Sequence, residues 1–255
     1  EPKYISKSNP RIGLITLGSD FRIEKDFNNV VYGRDIDLYV NRIHCYNPLT
    51  NETLAKMSDD ITDVTKDILP DQKIDCVAYG CTSGTVAAGY DVIKEKVNLA
   101  KPEAKVTTPI TAAIKALNIL GINKISIFTP YTKTINDSVV DYFKKENINV
   151  NSLTYFDIDS DLDIGKVDED HLFDVLSKID LKDCEALFVS CTALPALSII
   201  NKLEKKINKI VLSSNQTLIW DSLKAINYKE KIDGFGKLFN SWPIWILVKK
   251  NTKQD

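Results

Sequence analysis

Val77-Ala-Tyr-Gly-Cys81-Thr82 is matched later in the chain by Leu187-Phe-Val-Ser-Cys191-Thr192, an apolar run ending in a small residue, a cysteine and a threonine. Upstream of each lies a second match. Arg11-Ile-Gly-Leu-Ile-Thr16 pairs with Lys124-Ile-Ser-Ile-Phe-Thr129, a basic residue opening an apolar run that closes on threonine. The spacing is kept, with Arg11 70 positions before Cys81 and Lys124 67 positions before Cys191. A strand–helix–strand unit that occurs twice implies two similar α/β halves related by a pseudo-twofold axis, each presenting one cysteine at the carboxyl end of a strand.

The rest of the chain fits that plan. Residues 11–17, 76–79, 124–128, 149–153, 186–189 and 210–212 read as buried strands, and 54–68, 84–98, 108–120, 135–146, 169–178, 195–206 and 215–226 as helices. Continuous hydrophobicity in the strands, without alternation, predicts parallel sheets covered by helices on both faces. The fold class is therefore α/β, two Rossmann-like domains with the active site in the cleft between them. The first half is expected to take in 1–105 and 208–240, the second 106–207, with 241–255 a tail.

The chain has 255 residues, 44% of them hydrophobic, which excludes disorder and leaves room for a sizeable core. A net charge of −2 and no basic run interleaved with aromatics argue against nucleic acid, so a small-molecule partner is expected. No apolar stretch approaches the roughly 20 residues of a membrane span, and Glu1-Pro-Lys-Tyr4 carries no hydrophobic signal core, so no membrane partner and a cytoplasmic location are expected. Five cysteines without a CxxC pair, and only two histidines, argue against a disulfide framework and against a metal site.

Two stretches carry candidate chemistry. Gly80-Cys81-Thr82-Ser83-Gly84-Thr85 sets a thiol at a strand end before hydroxyl residues and glycine at a helix start, able to cradle an anion and to ease thiol ionisation. Ser190-Cys191-Thr192-Ala193-Leu194-Pro195 repeats it, with Pro195 suited to the first helical turn. Either stretch alone reads as well as a tight turn holding a buried cysteine. Together, two thiols facing one cleft form the layout for moving a proton on or off a carbon from either face. Cys45, Cys76 and Cys184 lack the hydroxyl follow-up and read as core; His44 and His171 fall in no motif, and neither a serine hydrolase nor a P-loop pattern is present.

With Ile12-Gly-Leu-Ile-Thr-Leu-Gly-Ser-Asp20, Glu24, Phe128-Thr-Pro-Tyr131-Thr and Ser213-Ser-Asn215-Gln-Thr217 leading into Trp220, these motifs resemble the aspartate/glutamate racemase superfamily over about residues 11–240. The resemblance is to the branch holding maleate cis–trans isomerase, arylmalonate decarboxylase and the ectoine-utilisation protein EutA. It implies a cofactor-independent enzyme in which Cys81 is the thiolate and Cys191 the acid, with Thr82, Ser83, Tyr131 and Thr192 holding a carboxylate and its enediolate. The decarboxylases resemble this chain with only the second-half cysteine, so the pair disfavours decarboxylation.

Asp20, and Asp161 in Ser160-Asp-Leu-Asp-Ile-Gly165, stand where the similar maleate isomerases have asparagine. An ionised aspartate accepts hydrogen bonds and repels a second substrate carboxylate, so a zwitterion fits better than a dicarboxylate. The alternative for Asp20 is a helix cap. Two activities follow: an isomerase or racemase exchanging the α-proton of a small carboxylate, or β-elimination of dimethylsulfoniopropionate (DMSP) to dimethyl sulfide and acrylate, as in the algal lyase similar to this superfamily. A non-catalytic carboxylate-binding protein is the third reading. A homo-oligomer is expected, with the tryptophan-bearing tail packing on the protein itself or on a second subunit.

Overall fold

The computed structural model describes residues 1–4 and 8–240, the side chain of Asn240 excepted. The tail 241–255, and with it the expected packing of its tryptophans, lies outside the described residues.

In chain order the elements of the first half are β1 (Arg11–Leu17), α1 (Ile23–Val31), β2 (Asp37–Ile43), α2 (Asn51–Lys56), α3 (Ile61–Lys66), β3 (Cys76–Gly80), α4 (Thr82–Ala88), α5 (Tyr90–Ala100), β4 (Lys105–Thr107) and α6 (Pro109–Leu120). There follow β5 (Lys124–Thr129), α7 (Lys133–Lys145), β6 (Asn149–Tyr155), α8 (Asp161–Gly165), α9 (Glu169–Leu176), β7 (Ala186–Val189), α10 (Ile200–Ile207), β8 (Ile210–Ser213), α11 (Ser214–Ala225) and α12 (Lys237–Asn240). Each half holds one four-stranded sheet, ordered β2-β1-β3-β4 and β6-β5-β7-β8, and the described pairings are all parallel. The repeat read from sequence is thus a repeat in space. Arg11 and Lys124 open the equivalent strands β1 and β5, and the two Cys-Thr pairs follow the equivalent strands β3 and β7.

The central strands are buried almost throughout, as continuous hydrophobicity requires, and one apolar core runs through both halves. The edge strands β2 and β6 are only half-buried. β2 and β4 were not expected as strands, nor α1 and α8 as helices. The long helix expected over 54–68 is divided by a 3₁₀ turn at Met57–Asp60, and that over 84–98 is divided at Gly89. Pro195 opens no helix; after Cys191 the chain makes a turn, and a 3₁₀ turn at Leu197–Ile199 precedes α10.

The halves also meet at different points from those expected. β8 pairs with β7, so the second sheet continues to Ser213, where 208 had been given back to the first half. β4 belongs to the first sheet and α6 packs along α11 and α4, so the first half continues past 105 to Leu120. α11, which leaves the second sheet at β8, packs on β3, β4 and α1 of the first half. That exchange brings the carboxyl ends of both sheets together. Among the described residues no helix is long and apolar enough to cross a membrane.

Candidate active site

Cys81 lies between β3 and α4 in extended backbone (φ −145°, ψ 114°) and caps the helix with its own sulfur, which accepts from Gly84 N–H at 3.2 Å and lies 3.9 Å from Ser83 Oγ. Cys191 follows β7 with φ +107°, a region L-residues rarely adopt and that costs about 1–3 kcal/mol. Two consecutive residues at the start of α11 hold that turn. Ser214 Oγ accepts from Cys191 N–H at 3.0 Å, and Asn215 Nδ2 donates to Thr192 O at 2.9 Å. Ser214 Oγ also shares a 2.8 Å hydrogen bond with Thr82 Oγ1, and Thr192 Oγ1 donates to Gly80 O at 3.3 Å. The two Cys-Thr pairs are therefore stitched to one another across the seam between the halves.

Tyr131, at the end of β5, turns its hydroxyl toward Cys191 and accepts a long hydrogen bond, 3.5 Å, from Ser190 Oγ. Asp20, after β1, is fully buried. One oxygen accepts from Arg22 N–H (2.7 Å) and Ile23 N–H (3.1 Å) at the start of α1, so it is a cap; Oδ2 has no protein hydrogen-bond partner, though the Thr192 hydroxyl lies beside the carboxyl group. Asp161 opens α8 and accepts from Ser19 Oγ at 2.5 Å. All eight sequence candidates, Cys81, Cys191, Asp20, Thr82, Ser83, Tyr131, Asp161 and Thr192, are thus brought together and buried.

Charge in this cleft is one-sided. Burial pushes Cys81 far up, with the Asp161 and Cys45 charges adding to it and Gly84 N–H opposing. Burial likewise raises Cys191, with Asp161 and Asp20 adding and Ala193 N–H and Tyr131 opposing. Asp161 rises to about 6 and Asp26 to about 7, each chiefly through burial, and burial also raises Asp20. Arg42 is the cation closest in effect to Asp20, and its guanidinium is engaged by Leu17 O, Asp20 O and Glu24.

α8 closes the mouth of the cleft from the second half. Arg22 Nε and Nη2 donate to Gly165 O at 3.2 and 3.1 Å, the Arg22 guanidinium stacks on Phe21, and Leu49 N–H donates to Asp159 O at 2.8 Å. Cys81 and Cys191 are 3% and 5% exposed in this closed arrangement. A surface hollow lined by Lys66, Pro70, Ile74, Lys101 and Pro102 lies beside the amino ends of β3 and β4, the opposite end of the sheet from the thiols.

Sequence reasoning missed Ser19, Tyr79, Ser214 and Asn215. Ser214 was legible by the rule that found the cysteines, since it too follows the carboxyl end of a strand. Cys45 packs against the core as expected, but it is half-buried and also faces Ser19 and Asp161 of the cleft, and burial pushes it up to about 11. Cys76 and Cys184 are buried as expected, and His44 and His171 are exposed. All five thiols are free, and among the described residues no group of three or more His, Cys, Asp or Glu side chains is placed to hold a metal ion.

Known proteins share this architecture. The model of the arylmalonate decarboxylase family matches residues 38–239. Maleate isomerase from Geobacillus stearothermophilus is 25% identical over 245 residues, 90% of this chain and 97% of that protein. Among solved structures, a cysteine-to-serine variant of Nocardia farcinica maleate cis–trans isomerase, holding a covalently bound succinylcysteine intermediate, superimposes with a TM-score of 0.84 at 18% identity, over 92% of this chain and 99% of that one. A liganded double variant of arylmalonate decarboxylase gives 0.80 at 20% identity, over 91% and 100%.

Proposed function

The chain belongs to the arylmalonate decarboxylase family, and on that footing we propose a cofactor-independent, cysteine-dependent isomerase or racemase that moves the α-proton of a small carboxylate bearing a cationic group. The observation that carries this reading is the pair of thiols at equivalent strand ends of opposite halves, joined through Ser214. In the forward direction the Cys81 thiolate takes the α-proton and the C–H electron pair passes into an enediolate. Cys191 S–H then delivers its proton to the opposite face and is left as the thiolate; the reverse passage restores the starting state. Thr82, Ser83, Tyr131 and Thr192 supply hydroxyl groups for the substrate carboxylate and for the charge that develops on it.

The relatives named for maleate act on a dianion. Here burial raises both thiols, Asp161 adds to both and Asp20 adds to Cys191, and a second substrate carboxylate beside them adds a further like charge. A cation beside Asp20 and Asp161 has the opposite effect: it offsets their charge and makes each thiolate easier to form. The substrate thereby activates the enzyme. The unpartnered Oδ2 of Asp20 favours a cation that carries an N–H donor.

Acid lining also suits a sulfonium, so β-elimination from DMSP is the second reading, ranked lower because a sulfonium has no N–H for Asp20. The test is a panel of amino and N-substituted carboxylates, maleate and DMSP, with proton–deuterium exchange at the α-carbon as the readout. Exchange without net product supports the isomerase, and dimethyl sulfide with acrylate supports the lyase. Full exchange retained in both Cys81→Ala and Cys191→Ala removes the two-thiol mechanism, and binding without any turnover leaves a carboxylate-binding protein.

A further inference from the structure

Tyr79, on β3 two residues before Cys81, points to the same side of the sheet as the thiol. Its side chain is 1% exposed, yet its hydroxyl has no hydrogen-bond partner in the protein. A buried hydroxyl without a partner is rare and marks a group awaiting one. Gly84, in α4, shows where that hydroxyl lies. A Cβ on Gly84 would stand 2.8 Å from Cys81 Sγ and 3.0 Å from Tyr79 Oη, so both atoms crowd the same point and only a glycine leaves that space open.

The other half offers a counterpart from a different strand, for Tyr131 turns its hydroxyl to Cys191. We propose that Tyr79 is the positioning residue of the Cys81 half: its hydroxyl donates to the Cys81 sulfur when that sulfur is ionised, as Tyr131 does for Cys191. Each thiolate then has one buried phenol, and in the resting thiol state the Tyr79 hydroxyl stays unsatisfied. The other groups facing Cys81 are Gly84 N–H and Ser83 Oγ from α4, Asp161 from α8, Cys45 from the segment after β2 and Tyr131 after β5; those facing Tyr79 are Cys81 and Cys45. Gly84 N–H, Ser83 and Tyr79 can donate to an anion at Cys81, whereas the Tyr131 hydroxyl is engaged by Cys191, an ionised Asp161 only accepts and Cys45 is a weak donor.

This extends the two-thiol reading, but its test reads the thiol itself and needs no substrate. Wild type and Tyr79→Phe are alkylated with iodoacetamide across a pH series, and Cys81 and Cys191 are followed separately by peptide mass spectrometry. The expected result is a Cys81 profile displaced upward by about one pH unit, hence about tenfold slower modification near neutrality, with Cys191 unmoved. Tyr131→Phe displaces Cys191 more than Cys81, the reverse of Tyr79→Phe. Because the hydroxyl is unpartnered at rest, Tyr79→Phe also melts at or above the wild-type temperature. A purely structural hydroxyl gives the reverse, a lower melting temperature with an unshifted profile, and that overturns the proposal. So does a Cys81 that resists alkylation equally in both proteins. Loss of the two-thiol reading shows instead as turnover retained without the cysteines.

Discussion

Gly165→Ala tests whether α8 gates the thiols. Gly165 is the last residue of α8 and its φ is not positive, so no backbone requirement keeps glycine there. Space does: an added Cβ would stand 2.6 Å from Phe21 Cε1 and 2.8 Å from Cζ, across the seam between the halves. Phe21 is 46% exposed, so its ring swings outward and the fold survives, but its stack with Arg22 and the pair of bonds from Arg22 to Gly165 O are disturbed. Overpacking of this kind costs about 1–3 kcal/mol, and here the cost falls on the closed arrangement alone. The open population then rises about 5- to 150-fold. Iodoacetamide modification of Cys81 and Cys191, both buried at the seam between the halves, should rise by a factor in that range. Cys76, buried within β3, is the internal reference and should not change. Equal acceleration of all three cysteines indicates general unfolding, and acceleration of none means α8 does not gate the cleft; either result refutes the reasoning.

Asp26 and Asp161 titrate at about 7 and about 6, above their unfolded value of 3.8, so each favours the folded state when protonated, and that contribution is lost as pH rises through the folded value. Stability should therefore fall between about pH 4 and pH 7, by about 1–3 kcal/mol after solvent screening, with the melting temperature falling alongside, and a flat profile in differential scanning calorimetry counts against the buried acidic cluster. Ser214→Ala leaves Cys191 N–H and the Thr82 hydroxyl without their shared partner and should cost about 1–3 kcal/mol by denaturant melt, with α-proton exchange reduced further than the stability loss explains. Asp20→Asn keeps an oxygen to cap α1 but removes a buried charge. It should melt higher, weaken a cation-bearing substrate at least about tenfold by titration calorimetry and improve maleate binding, and unchanged selectivity sinks the zwitterion reading.

How much of this was legible follows from where the hydrophobic signal is dense. β1, β3, β5 and β7 lie inside their sheets, covered on both faces, so their apolar runs are uninterrupted and were located within a residue or two. β2, Asp37-Leu-Tyr-Val-Asn-Arg-Ile43, is a half-buried edge that mixes polar and apolar residues, and β4 has only three residues, too few for any periodicity. α1 does carry the helical signal, since its buried set, Ile23, Phe27, Val30 and Val31, recurs at i, i+4, i+7 and i+8 opposite Glu, Lys, Asp and Asn, and the sequence reading passed it over. The site candidates were legible because they sit in the repeated motif or at strand ends. Tyr79 was not, since inside an apolar strand a tyrosine reads as core; only the missing partner for its hydroxyl separates the two roles.

The repeat also conceals an asymmetry that bears on mechanism. The same Cys-Thr pair opens a helix directly at Cys81, in relaxed extended backbone, and enters a strained turn at φ +107° at Cys191. Cys81 Sγ therefore receives a helical N–H from Gly84, while Cys191 depends on Tyr131, on Ala193 N–H and on Ser214 and Asn215 to hold its turn. The supports of Cys81 all come from β3 and α4. Those of Cys191 come from three separate segments and include α11, which also packs on the first half and binds Thr82. The donors to Cys81 thus lie within one half, whereas the turn of Cys191 is held by a helix that spans the seam. The sequence symmetry supplies two thiols, and the asymmetric backbone supports them differently: a helical N–H for Cys81, and for Cys191 a turn held by the first residues of α11.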